Sequence, residues 1–215
     1  MARAEQPSEQ RLQIFAAVHK SVYRYQKREG YRDSFHEEYP DISMEIFQGT
    51  YDDVVYWIKN GVVDVGFLSV SSAADIPIEP LYKDPLLCVV QKGRRTSKEP
   101  MSIEEMKNCQ FVTQRESTDA DIQNFMKENH LDVRSSYHVV DDLSTVVMVA
   151  NGFGICLMPE MVMKDIPYEV DCFPVKPDAC RIIGIAALNP DNMAPAVRTF
   201  YNRVLAMYQQ EEYVK

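Results

Sequence analysis

Periodic apolar positions divide the first third of the chain into alternating predicted strands and helices. The predicted strands are residues 11–17, 42–47 and 62–68, and the helix of the first connection is predicted at residues 20–39. Thr50 and Asp53 have the capping-box spacing at the start of a second helix, which Gly61 ends. The resulting order β-α-β-α-β predicts a parallel sheet with right-handed crossovers.

The remainder of the chain continues this alternation. Extended segments are predicted at residues 81–91, 110–113, 135–140, 153–158, 168–175 and 181–188, and helices at residues 103–107, 119–129, 143–150 and 193–209. Ser102 with Glu105 and Thr118 with Asp121 repeat the capping-box spacing at two of the helix starts. Pro85 lies in the middle of an extended segment, which favours a strand that changes partner between two lobes.

Residues 139–161 form the most informative stretch, a predicted strand-helix-strand unit of about the minimum length for a parallel crossover. Asn151 and Gly152 are expected to end its helix, because both residue types tolerate the left-handed conformation. Pro159 is expected to end the strand that follows. The order of elements predicts an α/β protein with a lead-in at residues 1–10, lobe I at residues 11–81 and 176–215, and lobe II at residues 82–175.

Composition and charge narrow the function classes. The 215 residues are 46% hydrophobic and 26% charged, as in a soluble globular protein, and the formal net charge is −9. The chain has no cluster of Lys and Arg of the kind that a duplex-binding surface needs, so we do not expect it to bind nucleic acid itself. Its polar first ten residues are unlike a signal peptide, and no apolar run approaches the ~18 residues of a membrane span. The five cysteines lie far apart, and three of them, Cys88, Cys109 and Cys156, fall in or beside apolar runs. This pattern fits buried thiols in a reducing compartment, which predicts a cytoplasmic protein.

Motifs for catalysis, metals and cofactors are missing from the sequence. Gly152 and Gly154 form a GxG, but they follow a helix and precede a strand, the reverse of a phosphate-binding loop. There is no GxSxG, HExxH or P-loop, and the four histidines form no spaced pair. We therefore predict no catalytic residue, no metal and no cofactor.

Loops after parallel strands are where α/β proteins bind ligands, and five such loops are predicted here. They are residues 18–21, 49–50, 69–72, 114–118 and 140–142. Ser21, Thr50, Ser69, Ser117 and Thr118 place hydroxyl groups in them, and His19 lies in the first loop. The alternative is that Thr50, Ser117 and Thr118 only cap their helices. Asp141 and Asp142 favour a helix N-terminus but would repel an anion placed against them.

Three segments of the chain resemble LysR-type transcriptional regulators. YPDI at residues 39–42, followed by Gly49 and IKNGVVDVG at residues 58–66, is similar to a pattern of that family. PLYKDPL at residues 80–86 resembles its lobe-crossing strand, and VANGFGICLMP at residues 149–159 closely resembles a third segment. The resemblance covers about residues 11–208 in the order of the family.

The resemblance implies an effector-binding domain with the type 2 periplasmic-binding-protein fold, in which two α/β lobes are joined by two crossover segments around a cleft. It implies a small-molecule effector, pairing into a homodimer or tetramer, and DNA contact only through an N-terminal winged helix-turn-helix that this sequence lacks. Carried over by position, the ligand contacts are Val18, His19, Lys20, Ser21, Thr50, Ser69, Thr113 and Gln114, to which the loop positions add Ser117 and Asp141. A solute-binding receptor of a transporter shares the fold and is the alternative.

Overall fold

The structure of the chain is a computed structural model that describes residues 10–16, 35, 37–114, 120–133, 135, 137–164 and 166–209. Most of the helix predicted at residues 20–39 and the capping residue Thr118 lie outside the described residues. None of the helices within these ranges is both long and apolar enough to cross a bilayer.

Ten strands and six α-helices make up the described part of the chain. The strands are β1 (Gln10–Ala16), β2 (Ile42–Phe47), β3 (Val65–Ser69), β4 (Ile78–Gln91), β5 (Met101–Ser102), β6 (Val112–Gln114), β7 (Tyr137–Val139), β8 (Cys156–Pro159), β9 (Val170–Lys176) and β10 (Cys180–Ala186). The helices are α1 (Tyr51–Lys59), α2 (Ile103–Lys107), α3 (Ala120–Glu128), α4 (Asp142–Ala150), α5 (Glu160–Met163) and α6 (Pro195–Gln209), with 3₁₀ turns at Val70–Ser72 and Pro190–Asn192.

The predicted parallel sheet is confirmed in the first part of the chain. Strand β1 lies between β2 and β3 and is parallel to both. Strand β10 returns from the far end of the sequence and pairs with β3 in the antiparallel direction. It also pairs with β4, which continues out of this half of the molecule.

Strand β4 carries the sheet into the second half, as the position of Pro85 predicted. Its second part pairs in the antiparallel direction with β8 and β9. Strands β6 and β7 form a separate parallel pair, which a parallel bridge between Phe111 and Ile155 places beside β8. The unit at residues 139–161 is therefore a crossover from β7 over β6 to β8.

Successive side chains of β3 and β4 point to opposite faces of the sheet. Each half of the molecule therefore has a hydrophobic core on both faces of its sheet. In the first half, Val65 packs towards α6 with Phe200, whereas Leu68 packs towards α1 with Val54. In the second half, Cys88 and Val89 point into different clusters. This gives two helix-covered half-sheets with separate cores, which supports the division into two lobes; the boundaries of those lobes stay a prediction.

Two helix starts follow the sequence pattern closely. The side chains of Thr50 and Ser102 each accept a hydrogen bond from the amide three residues later, and the acidic residue there accepts one in return. Two of the three predicted capping boxes, those at Thr50 and Ser102, are thus confirmed.

The strand predicted at residues 62–68 begins later, at Val65. The amides of Val62 and Val63 donate to the carbonyl oxygen of Trp57, so both residues belong to the turn that follows α1. Gly61, with φ of 65°, makes this turn possible. Helix-terminating hydrogen bonds therefore took precedence over the apolar character of the two valines.

The glycines of residues 152 and 154 have structural roles. Gly152, with φ of 82°, is the left-handed residue after α4, whereas Asn151 has φ of −89° and is not. A Cβ at Gly154 would collide with the backbone carbonyl of Gln110, so only glycine allows this close approach. Strand β8 begins at Cys156, three residues after the predicted start.

Candidate functional site

Two strand edges supply the candidate site. Because β1, β2 and β3 are parallel, their carboxyl ends lie at one edge of the first half-sheet. The carboxyl ends of β6 and β7 share an edge in the second half, where Gln114 is in register with Val139. The candidate site lies where the two edges approach each other.

A hydrogen bond between side chains joins the two edges. The hydroxyl of Ser71, in the 3₁₀ turn after β3, donates to Oδ1 of Asp121 in α3 at 2.6 Å. The Oγ atoms of Ser69 and Ser71 are 3.1 Å apart, and Ser69 is only 1% exposed. These three side chains form a polar chain from the end of β3 to the start of the helix after β6.

A second set of polar contacts lies at the β6–β7 edge. Nε2 of Gln114 donates to Oδ1 of Asp142 at 2.5 Å, which ties the end of β6 to the start of α4. Thr113 Oγ1 donates to the carbonyl oxygen of Tyr137 at 3.2 Å and lies 3.3 Å from Nδ1 of His138. The two predicted residues of this strand are therefore held by backbone and side-chain contacts of the neighbouring strand and helix.

Two of the predicted ligand residues, Thr50 and Asp141, cap helices. The hydroxyl of Thr50 donates to Oδ2 of Asp53 at 2.8 Å and accepts from the Asp53 amide at 3.2 Å. Oδ1 of Asp141 accepts from the Ser144 amide at 2.8 Å, and its backbone carbonyl accepts from the hydroxyl of Thr145. Thr50 is exposed and retains a free side towards solvent, whereas Asp141 is half-buried.

The structure thus places Ser69 at one edge and Thr113 and Gln114 at the other, with Thr50 at the start of α1. Val18, His19, Lys20, Ser21 and Ser117 lie outside the described residues. Three residues at the site were not singled out as ligand contacts: Ser71, Asp121 and Asp142. Their loops and caps were visible in the sequence, but the contacts of Ser71 and Gln114 cross 50 and 28 residues, which no local pattern encodes.

The described side chains of the site are polar and carry acidic charge. The charged groups among them are Asp121, Asp141 and Asp142, with Asp52 and Asp53 at the start of α1. The cations of the predicted loops, Lys20 and Arg115, fall outside the described ranges. Within those ranges, no group of three or more His, Cys, Asp or Glu residues could hold a metal ion.

An open groove of about 950 Å³ begins at Thr113 and Gln114 and runs along the outer side of β7 and α3, past Gln123, Lys127, His130 and His138. A smaller cavity of about 20 Å³ lies under the same two strand residues, against Ile122 and Thr145. That cavity is large enough for one water molecule only. Of these two spaces, only the open groove has room for a larger ligand.

Comparison with known proteins identifies the relatives of this arrangement. The family model described as "LysR substrate binding domain" matches residues 32–209. The uncharacterized HTH-type transcriptional regulator YoaU of Bacillus subtilis (strain 168) is 22% identical over 174 residues, which is 78% of this chain and 58% of the relative. The chain spans less than two thirds of each of the three curated relatives that it matches, at 58%, 57% and 62% of their lengths.

Solved structures share the fold. The regulatory domain of CcmR from Synechocystis PCC6803, in complex with 2-PG, has a TM-score of 0.82 at 16% identity and covers 94% of this chain and 98% of its own. The effector binding domain of QuiR, in complex with shikimate, has a TM-score of 0.77 at 20% identity and covers 95% and 99%. The predicted two-lobed α/β architecture is thereby confirmed.

Proposed function

Because this chain belongs to the LysR substrate binding domain family, we propose that it is the effector-sensing part of a transcription regulator. A small metabolite binds between the two strand edges and favours one angle between the lobes. In the longer protein, that angle positions DNA-binding segments that lie outside this chain. The family is one of regulator domains and not of enzymes.

The observation that carries this proposal is the Ser71–Asp121 hydrogen bond. It joins the turn after β3 to the helix after β6, which supports a site in which a single small molecule reaches both polar strand edges. Domains of the same fold have been solved with 2-PG and with shikimate, which supports a small polar ligand here as well. The proposed contacts are Ser69, Thr113 and Gln114 with Thr50 and Asp141, and the loop residues Val18, His19, Lys20, Ser21 and Ser117.

We further propose that the chain works in the cytoplasm and pairs into a homodimer or tetramer, with DNA bound only by an N-terminal domain of the longer protein. Pairing would connect several effector domains to one set of DNA-binding domains, so that changes of lobe angle in the paired chains act on the DNA-binding domains together. Light scattering over a range of concentrations tests this point. A mass of one chain at every concentration contradicts pairing through these domains.

The binding proposal is tested with a panel of small carboxylates and sugar phosphates, first by thermal shift and then by calorimetry. A ligand at 100 times its Kd stabilises the folded state by about 2.7 kcal/mol, which is readily measured. Two cap variants provide a matched pair. Thr50→Ala and Ser102→Ala each remove a capping-box hydroxyl and should each cost about 1 kcal/mol of folding free energy.

Only Thr50 lies at the candidate site, so only Thr50→Ala is expected to weaken binding of a compound found in the panel. Equal affinities for the two variants would remove Thr50 from the site. A panel without any stabilising compound, together with lobes that do not move, would contradict effector sensing itself.

A further inference from the structure

A buried polar junction lies where the chain crosses between the two half-sheets. Asp84 of β4 and Arg181 of β10 face each other in the strand register, and they are 0% and 1% exposed. Nε of Arg181 donates to Oδ2 of Asp84 at 2.9 Å, and Nη2 lies 2.9 Å from the same oxygen. Both charges are therefore removed from water and paired with each other.

Two further contacts extend the junction into both halves of the molecule. Nη1 of Arg181 donates to the hydroxyl of Tyr51, the first residue of α1, at 3.4 Å. The amide of Met161 in α5 donates to Oδ1 of Asp84 at 2.9 Å. The junction thus links a helix of the first half, a helix of the second half and both strands that connect them.

Its position coincides with the change from one core to the other. On β4, Leu81 packs in a cluster of the first half and Leu86 in a cluster of the second, and Asp84 lies between them. On the returning path, Val175 belongs to the second half and Ile185 to the first, with Arg181 between. A change of angle between the lobes would bend the chain between residues 81 and 86 and between residues 175 and 185, the segments that contain Asp84 and Arg181.

Buried charges tolerate little displacement. An ion pair removed from water is favourable only while its geometry and hydrogen bonds are good, because the desolvation cost of each charge remains. Arg181 is a rigid planar fork, so a small displacement of its guanidinium would disturb its contacts with Asp84 and Tyr51 together. The junction therefore favours one relative placement of α1, β4 and α5.

We propose that Arg181 is a positioning residue that couples the effector site to the lobe angle. This inference rests on the proposed sensing function and adds its route. Tyr51 directly follows Thr50, the cap residue at the site, so movement of the α1 N-terminus reaches Arg181 through one side chain. Arg181 transmits this movement to Asp84, and the hydrogen bond from the Met161 amide to Asp84 transmits it to the second half of the molecule.

The test measures the angle between the lobes without any ligand. In the full chain, p-acetylphenylalanine replaces Tyr56 on α1 and Phe153 beside β8, which are 63% and 46% exposed, and both are spin-labelled for pulsed distance measurements. This chemistry leaves the native cysteines untouched. Tyr51→Phe in this background removes one hydroxyl and keeps the buried ring.

Tyr201→Phe is the matched control, because Tyr201 is also a buried tyrosine of the first half and its hydroxyl has no hydrogen-bond partner among the described residues. We expect the distance distribution to widen in Tyr51→Phe and to stay at the wild-type width in Tyr201→Phe. The double variant Asp84→Leu/Arg181→Met replaces the charges with apolar side chains of similar size, which often preserves stability. It should melt near the wild-type temperature and show the wider distribution.

A distribution in Tyr51→Phe that superimposes on the wild type would overturn the proposal, even if the double variant did not fold. Equal widening in Tyr201→Phe would also overturn it, because the effect would then be general loosening of the core. A double variant with a lower melting temperature and unchanged distances would show that the junction stabilises the fold but does not set the lobe angle, and would also overturn the proposal. Since no ligand is added, failure of this proposal can be distinguished from failure of the effector-binding proposal.

Discussion

Removing Arg181 alone should be among the most damaging substitutions in this chain. Arg181→Met keeps an unbranched apolar side chain at the site but leaves Asp84 buried, with only the Met161 amide as a donor among the contacts described above. Asp84 is 0% exposed, so water cannot replace the guanidinium without opening the core. Breaking a buried pair in this way costs about 3–5 kcal/mol. That is a large fraction of the ~5–15 kcal/mol by which a typical domain is stable.

The cost should depend on pH, and the direction follows from the carboxyl group. Burial raises the pKa of Asp84 above its ordinary value of 3.8, while Arg181 and the Met161 amide act in the opposite direction. Without Arg181 the pKa rises further, and Glu160 adds to the rise. A raised pKa means that the folded state favours the protonated form. The penalty is therefore present in full above the folded pKa and shrinks as the pH falls through that value towards 3.8.

Urea unfolding at pH 7 and about pH 5 measures this, with Asp84→Leu/Arg181→Met as the reference variant. We expect Arg181→Met to lose about 3–5 kcal/mol at neutral pH and less at the lower pH, whereas the double variant loses little at either. The losses of unfolding free energy in the single variants Asp84→Leu and Arg181→Met should then add up to more than the loss in the double variant, as expected for two coupled residues. Additive losses, or a loss for Arg181→Met below about 1 kcal/mol, would refute the assignment of a buried, mutually dependent pair.

Two further predictions concern the second half of the molecule. Gly154→Ala should lower the free energy of unfolding by about 1–3 kcal/mol more than Gly61→Ala. Both positions have positive φ, but only a Cβ at Gly154 meets the Gln110 carbonyl. Urea unfolding of both variants measures the difference, and equal losses would contradict it. Among the cysteines, Cys88 and Cys156 should resist thiol reagents in the native protein. Burial raises the pKa of Cys88 to about 12 and that of Cys156 well above its usual value, whereas Cys172 is exposed. Mass spectrometry after brief treatment at about pH 8 identifies the modified residues, and early modification of Cys88 or Cys156 would show that their strands open readily.

Local patterns were sufficient for most of the fold. The capping boxes at Thr50 and Ser102 and the parallel pairing of β1 with its neighbours follow from short segments, because caps and strand alternation depend on neighbouring residues. The start of β3 could not be read in the same way. There, hydrogen bonds from Val62 and Val63 to the end of α1 outweigh two residues that favour strands.

The site was less accessible from the sequence than the fold. Loop positions predicted a site at the ends of β3 and β6, because the carboxyl ends of parallel strands share an edge, and this site stays a prediction. The partners could not be predicted, since Ser71 meets Asp121 and Gln114 meets Asp142 only after the half-sheets have formed. Residues 139–161 illustrate the difference. Their glycines have roles in backbone geometry that local sequence indicates, whereas the proposed ligand side of the same unit is at Asp141 and Asp142.

These contacts also constrain how an effector can bind. Ser71, Gln114 and Thr113 already donate to protein acceptors, and the hydroxyl of Thr50 donates to Asp53. A ligand that accepts from these donors therefore exchanges one hydrogen bond for another, so each exchange contributes only the difference, of the order of 1 kcal/mol. A compound that displaces Ser71 from Asp121 must offer a donor of its own, because the loss of this hydrogen bond at Asp121 would cancel the gain. Selectivity in such a site comes from matching the complete set of exchanged bonds, and incomplete analogues lose more than a single bond is worth.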